Sequence, residues 1–427
     1  MASNDPSTDA RAVALDALTQ ILRRRAALDD ALRLDGLAEA RDRAFARQMV
    51  ATTLRRKGQI DDVLKRCLEK LPPPAIEDLL RLGVAQLLFL DVKPHAVVDN
   101  AVELAKSTGF APLGKLVNAV LRRVSVEGAG WVAGQDAAPL NAPGWLWQAW
   151  LDAYGDTVAR AIAAAHLTEA PLDLTPAGDA DALADKLEAS ILFTGSLRRA
   201  AGGAVSSLPG YEQGGWWVQD AAATLPVKIL DPRPGELIAD LCAAPGGKTA
   251  QLAAAGAVVT ALDRSARRLS RLQENLNRLT LSAELVAADA SVWQPPQLFD
   301  KVLLDAPCSA TGTLRRHPDV AWTKQPDDIG KLAAAQDRLL AAASLMVKPG
   351  GTLVFCTCSL QPEEGSARIE QFLSSEPRYR RQPIAAAEIG GLGELISADG
   401  DMRSLPCHLA EIGGMDGFYA ARLVRIA

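Results

Sequence analysis

Leu237-Ile-Ala-Asp-Leu-Cys-Ala-Ala-Pro-Gly-Gly-Lys-Thr249 decides how the rest of the chain is read. It opens as an apolar strand carrying the acid Asp240 at its end, and its glycines lead through a turn into a helical pattern. Glycine permits a tight turn and a close approach of backbone to ligand. Beyond it, strand patterns at 237–241, 257–262, 284–286, 301–304, 352–357 and 418–423 alternate with helical ones, notably 265–278 and 331–347. That alternation predicts an α/β domain of the Rossmann-like kind, a doubly wound and mostly parallel sheet over 231–427. Such sheets bind ligands at the carboxyl ends of their strands.

Acids stand at three of those ends. Asp240 closes the first strand, Asp263 the second, where a carboxylate can hold ribose hydroxyls, and Asp289 follows the third. Three carboxylates would repel a pyrophosphate, whereas a sulfonium cofactor with an amino group, S-adenosylmethionine, suits them. The expected cofactor residues are Asp240, Cys242, Ala243, Ala244, Pro245, Gly246, Gly247, Lys248, Asp263, Arg268, Asp289 and Asp305. Gly247-Lys248-Thr249 invites a phosphate-loop reading, but the position five before Gly247 is Cys242 and the cradle is incomplete.

Two further strand ends carry thiols, in Phe299-Asp-Lys-Val-Leu-Leu-Asp-Ala-Pro-Cys308-Ser-Ala310 and in Leu353-Val-Phe-Cys-Thr-Cys358-Ser359. A thiolate beside a methyl donor has a specific use. The C5 carbon of a pyrimidine is a poor nucleophile, and adding a thiolate to C6 makes C5 enamine-like, able to attack a methyl sulfonium. Asp305 could hydrogen-bond the base at N3 and its amino group. Cys356 reads as a core residue, as do Cys67 and Cys407. Cys356 and Cys358 have no further ligands around them that would make a metal site, so no metal is expected.

From Gln219 to Arg425 the chain resembles the RNA cytosine-5 methyltransferases, on the 299–310 segment and the 240–249 loop. The resemblance implies that Cys358 is the nucleophile and that Cys308 assists product release. DNA cytosine-5 enzymes instead use the thiol after the proline, which here is Cys308, so having both thiols favours RNA. Gln219-Asp220 and Gly413-Gly-Met-Asp-Gly-Phe-Tyr419 are similar to the family's entry and last-sheet motifs and are expected to be architectural. Arg315 and Arg316, just past the Pro-Cys motif, could contact RNA phosphate, and His317 is expected to be structural.

The first 126 residues are different in kind. Apolar positions such as Val63, Leu64, Leu79, Leu80, Val97 and Val98 recur at helical spacing, with Pro72-Pro-Pro74 separating two helices. Residues 11–125 hold 20 Lys and Arg against 14 Asp and Glu, a net +6, so the remainder carries −11 of the total −5. A basic module joined to an acidic one points to a polyanionic partner. The stretches Val97-Val-Asp-Asn-Ala-Val-Glu-Leu-Ala-Lys-Ser-Thr-Gly109 and Lys115-Leu-Val-Asn-Ala-Val-Leu-Arg-Arg123 resemble the NusB fold, an all-α RNA-binding bundle. Residues 127–144, rich in Gly, Ala and Pro, read as a linker. Residues 145–230 read as a small α+β subdomain, opened by a helical stretch with Trp145, Trp147 and Trp150.

This organisation resembles the bacterial small-subunit ribosomal RNA cytosine-5 methyltransferases. The resemblance implies 16S rRNA as partner, free or partly assembled, and cytosine 967 as target. Two alternatives stay open: an RNA-binding protein with a degenerate methyltransferase domain, and a cytosine-5 methyltransferase acting on another RNA or on DNA. At 427 residues, 48% hydrophobic and 23% charged, the chain has the composition of a globular protein of two or three domains. It begins without an apolar leader, and no apolar run reaches membrane length. Its six cysteines include no Cys-x-x-Cys pair. The expectation is a cytoplasmic protein with reduced thiols, a monomer, engaging neither membrane nor DNA.

Overall fold

The computed structural model describes residues 9–426. They divide into two compact units, one running through Thr168 together with Leu314–Gln325, the other comprising Glu169–Thr313 and the chain from Pro326 on.

The first unit is helical. Its main helices are Ala10–Arg24, Ala40–Arg55, Lys57–Cys67, Pro74–Phe89, Pro94–Ser107, Gly114–Ala133 and Gly144–His166. Pro74 and Pro94 each occupy the first helical position, where the missing N–H costs nothing and the fixed φ suits the helix. The predicted apolar faces meet in one core: Leu18, Ile21, Leu54, Val63, Leu80 and Val97 are all buried. Arg81, itself buried, donates to Asp61 and Asp78, both at 2.7 Å. It thereby ties two helices through charges that would be costly to bury unpaired.

Two expectations change here. The 127–144 stretch is not an open linker. The helix Gly114–Ala133 runs on into it, and a short turn of helix, Ala137–Leu140, follows. The tryptophan-bearing helix expected to open the middle subdomain belongs to the helical unit, because Leu146, Trp150 and Ile162 turn apolar faces inward. Gly155, at φ 74°, breaks this helix where a residue with a Cβ would be strained.

Nor does chain order reveal that residues 314–325 belong to this unit. Asp319 accepts from the Leu28 N–H at 3.0 Å, and Trp322 Nε1 donates to the Leu54 carbonyl at 2.8 Å. The Lys57 ammonium lies 4.4 Å from the centre of the Trp322 ring. Arg315 is only 1% exposed, which removes it as a surface phosphate contact. His317 is half-buried, and that burial pulls its pKa down, in keeping with a structural role.

The second unit contains two sheets. Strands β1 (Leu172–Pro176), β2 (Ser190–Ile191), β3 (Leu197–Arg199) and β4 (Trp216–Val218) form a small antiparallel sheet in the order β2-β3-β1-β4. The large sheet is built from β5 (Leu237–Leu241), β6 (Val258–Asp263), β7 (Glu284–Ala287), β8 (Phe299–Asp305), β9 (Val347–Thr357), β10 (Tyr379–Arg381), β11 (Met402–Ser404) and β12 (Phe418–Arg425). Its order is β10-β12-β9-β8-β5-β6-β7, with β11 paired to β12 off this path. Strands β5 to β9 pair in parallel, and β12 runs antiparallel to β9. The doubly wound sheet is as expected, with its switch point between β5 and β8, where this class opens a crevice.

The two motifs expected to be architectural join the sheets. Asp173 of β1 binds Arg198 through both carboxylate oxygens at 2.7 Å and accepts from the Ala221 N–H at 3.0 Å. Asp220 accepts from the Ala222 and Asp416 amides at 2.9 and 3.1 Å.

In the helical unit, His166 is fully enclosed against Trp150, with ring centres 5.4 Å apart. Burial, assisted by Arg315 and Arg55, pushes its pKa down to about 3. The folded form therefore resists a proton that the unfolded chain accepts near pH 6.5. The resulting stability is present above that pH and is lost as pH falls toward 3. We expect His166→Phe to remove on the order of 2 kcal/mol of the stability loss between pH 7 and pH 5, measured by denaturant unfolding at each pH.

Candidate active site at the strand ends

Parallel pairing brings the ends of β5, β6, β8 and β9 to one edge. The register sets Asp240 beside Leu303 and Asp305 beside Cys356. At the end of β5 the chain makes an unusual turn. Cys242 takes φ 63°, the Ala244-Pro245 peptide is cis, and Gly246 takes φ 103°. A Cβ on Gly246 would also come within 2.6 Å of Leu272, so glycine is required there twice over. The Ala243 N–H donates to the Leu262 carbonyl of β6 at 2.8 Å. Gly247 then starts the helix Gly247–Ala254.

Asp263 sits beneath this turn. It accepts from the Ala244 N–H at 3.3 Å, the Ser265 N–H at 2.9 Å and Arg268 Nη1 at 3.0 Å, while Arg268 also reaches the Ala244 carbonyl. Asp289 accepts from the Ser291 N–H and hydroxyl at 2.9 and 2.7 Å, bonds that hold its pKa below the usual carboxylate range. A cleft of about 230 Å³ opens between Cys242, Asp263, Arg268, Asp289, Pro307 and Leu339. The Cys242 thiol is pushed up to about 12, chiefly by burial and then by Asp305, Asp263 and Asp240, so it stays a neutral wall of the cleft.

Asp240 is wholly buried. Its Oδ2 accepts from the Thr249 hydroxyl at 2.6 Å, and its Oδ1 has no partner. Burial raises its pKa to about 7 against the pull of Thr249. A buried, unpartnered carboxylate oxygen fits a cofactor bearing a cationic amino group.

The thiols meet as neighbours. Cys308 Sγ and Cys358 Sγ are 3.4 Å apart, each half-buried. The hydrogen bond shared with Cys358 raises the Cys308 pKa well above an ordinary thiol's, with burial adding to it. Lys248, expected within the cofactor loop, pairs with Asp305, another of the expected cofactor residues. Its Nζ lies 2.7 Å from Asp305 Oδ2 and 5.0 Å from the centre of the Phe418 ring. Burial opposes the Lys248 charge, but Asp305 and the neighbouring thiols Cys356 and Cys358 outweigh it, and its pKa is raised. Cys356 is fully buried, 3.6 Å from Asp305 Oδ1, whereas Cys67 and Cys407, expected in the core, are only half-buried.

Sequence reading passed over Glu364, a carboxylate with no exposure behind the two thiols. The one available signal was an acid six residues past the nucleophile candidate Cys358, in the turn that follows the strand. Among the described residues there is no cluster of His, Cys, Asp and Glu able to hold a metal, and no helix long and apolar enough to cross a membrane.

Comparison with known proteins gives the family. A family model described as 16S rRNA methyltransferase RsmB/F matches residues 227–424, and a NusB family model matches residues 8–126. The ribosomal RNA small subunit methyltransferase B of Pseudomonas putida is 37% identical, covering 98% of each chain. That of Vibrio cholerae is 34% identical, over 97% of this chain and 96% of its own. A structure described as that of PH0851 shares the fold over 99% of both chains, at TM-score 0.78 and 23% identity. A methyltransferase homolog from Pyrococcus horikoshii is 27% identical, at TM-score 0.55 over 65% of this chain and 93% of its own.

The raised pKa of Asp240 has a thermodynamic consequence without ligand. The folded state holds a proton that the unfolded chain releases near pH 4, so this contribution is full below that pH and is lost as pH rises through about 7. Asp240→Asn, which stays neutral, should gain on the order of 2 kcal/mol relative to the parent between pH 5 and pH 8, read from thermal or denaturant unfolding.

Proposed function

Because this chain belongs to the ribosomal RNA small subunit methyltransferase B family, and so is an S-adenosylmethionine-dependent 16S rRNA methyltransferase, we propose that it methylates C5 of a cytosine through a covalent Cys358–C6 adduct. The observation that carries this reading is the 3.4 Å approach of Cys358 to Cys308 beside the Lys248–Asp305 pair. An enzyme that methylated an exocyclic amine would have no use for paired thiols.

S-adenosylmethionine supplies the methyl group as an electrophile. We assign its site to Asp240, the 242–248 turn, Asp263, Arg268 and Asp289. Asp263 and Asp289 line the cleft where ribose and base hydrogen bonds are needed, and the buried, unpartnered oxygen of Asp240 suits an amino group.

The target cytosine must leave its stack to reach the strand ends. Asp305, held by Lys248, accepts a hydrogen bond from the amino group of the base and orients it. The Cys358 thiolate adds to C6, and the S–C6 bond makes C5 nucleophilic. After methylation the C5 proton passes to water, the S–C6 bond breaks and the ring recovers its double bond. The Cys308 thiol, already in hydrogen-bond contact, donates to the departing Cys358 sulfur and eases its release. The basic helical unit adds affinity through phosphates, and cytosine 967 is the target that the family resemblance implies.

The roles of the two thiols are separable. Cys358→Ala should abolish methyl transfer to unmodified 16S rRNA while S-adenosylmethionine binding is retained. Cys308→Ala should accumulate a protein–RNA adduct, seen as a retarded band on a denaturing gel, that disappears when Cys358 is also replaced. An active Cys358→Ala enzyme would overturn the assignment.

A further inference from the structure

The polar side chains behind the thiols form a buried system that the reaction above does not use. Glu364, with no exposure, accepts four hydrogen bonds. Its Oε1 takes the Ser309 N–H at 2.9 Å and Gln336 Nε2 at 3.1 Å. Its Oε2 takes the Ser359 hydroxyl at 2.6 Å and the Ser309 hydroxyl. Ser309 follows Cys308 and Ser359 follows Cys358, so one carboxylate grips both thiol-bearing loops one residue beyond each sulfur.

The grip is braced from several sides. The Ser309 and Ser359 hydroxyls are 3.0 Å apart, and Thr357 Oγ1 donates to the Glu364 carbonyl at 3.0 Å. Gln336 also donates to the Pro307 carbonyl at 2.9 Å, and the Gly312 N–H reaches the Cys358 carbonyl at 2.9 Å. A carboxylate with no solvent contact would be expensive to bury without such donors. Charge-assisted hydrogen bonds of this kind are also the stronger ones.

We propose that Glu364 is the positioning residue of the two-thiol site, holding the Cys308 and Cys358 loops in the register that keeps their sulfurs in contact. It touches neither the thiols nor the space where a base would sit, so it acts through Ser309 and Ser359. Its charge has a second effect, opposing ionisation of Cys308 and so keeping the proton on the assisting thiol. The inference rests on the two-thiol reading of the site.

The test pairs Glu364→Gln with Glu364→Ala and measures thiol spacing directly. Phenylarsine oxide binds two thiols only when they are close, and the parent should bind it in a manner lost in Cys308→Ala. Glu364→Gln keeps the volume, and rotated serine hydroxyls can still bond its amide, so the fold is retained. Its kcat should fall about tenfold, with KM for RNA and S-adenosylmethionine affinity within about twofold. Arsenical affinity should fall in parallel, and further in Glu364→Ala. If Glu364→Ala fails to melt cooperatively, Glu364→Gln alone decides. A kcat loss smaller than about fivefold, or a loss with arsenical binding intact, overturns the inference. Adduct formation by Cys308→Ala with Glu364 unchanged tests the two-thiol reading separately. An adduct there together with a fully active Glu364→Gln would sink only the positioning role.

Discussion

Parallel strand pairing is the constraint from which the site follows. Strands that run the same way end at the same edge, and the pairing of β5 with β6 and β8, and of β8 with β9, is parallel throughout. Residues as distant in sequence as Asp240, Asp263, Asp305 and Cys358 therefore gather without any loop having to carry them. The order β9-β8-β5-β6 also puts the crossover reversal between β5 and β8. There the helices leave toward opposite faces and a crevice stays open. The antiparallel β12 closes the far side and brings Phe418 over Lys248.

Within that frame, charge is distributed so that neighbouring groups do different work. Asp240 is buried deeply enough to favour its neutral form, whereas Asp289 is held ionised by Ser291. Asp305 faces a lysine that stays charged because the carboxylate offsets its burial. The two neighbouring thiols share a hydrogen bond that, with burial, raises the Cys308 pKa. Cys242, a third thiol at the same edge, is silenced by burial and three carboxylates.

The helical unit includes a piece of chain that lies within the catalytic sequence. Residues 314–325 leave the Cys308 loop only six positions after the thiol and are packed by Leu28, Leu54 and Lys57. Arg315 is consequently buried, and Trp322 half-buried, in a unit whose other residues lie far from them in sequence. Arg315, expected to contact phosphate, is instead enclosed, because burial is a property of the neighbours.

The strand–turn–helix pattern, the acids at successive strand ends and the two Cys-bearing motifs were legible in the chain itself. Each is local: period, glycine and strand-end position are set by residues within a few places of one another. The NusB-like helices were legible for the same reason. What only the tertiary structure decided involves partners far apart in sequence. Much of the 127–144 stretch proved helical, with Gln135 and Asn141 tied to Gln59 and Asp62, more than 70 residues away. Lys248 pairs with Asp305, 57 residues away. Glu364 became the buried anchor of both thiol loops because Ser309 and Gln336, 55 and 28 residues distant, supply the donors that make its burial tolerable. Hydrogen bonds of that separation leave no periodic trace in a sequence, and only the folded chain reveals them.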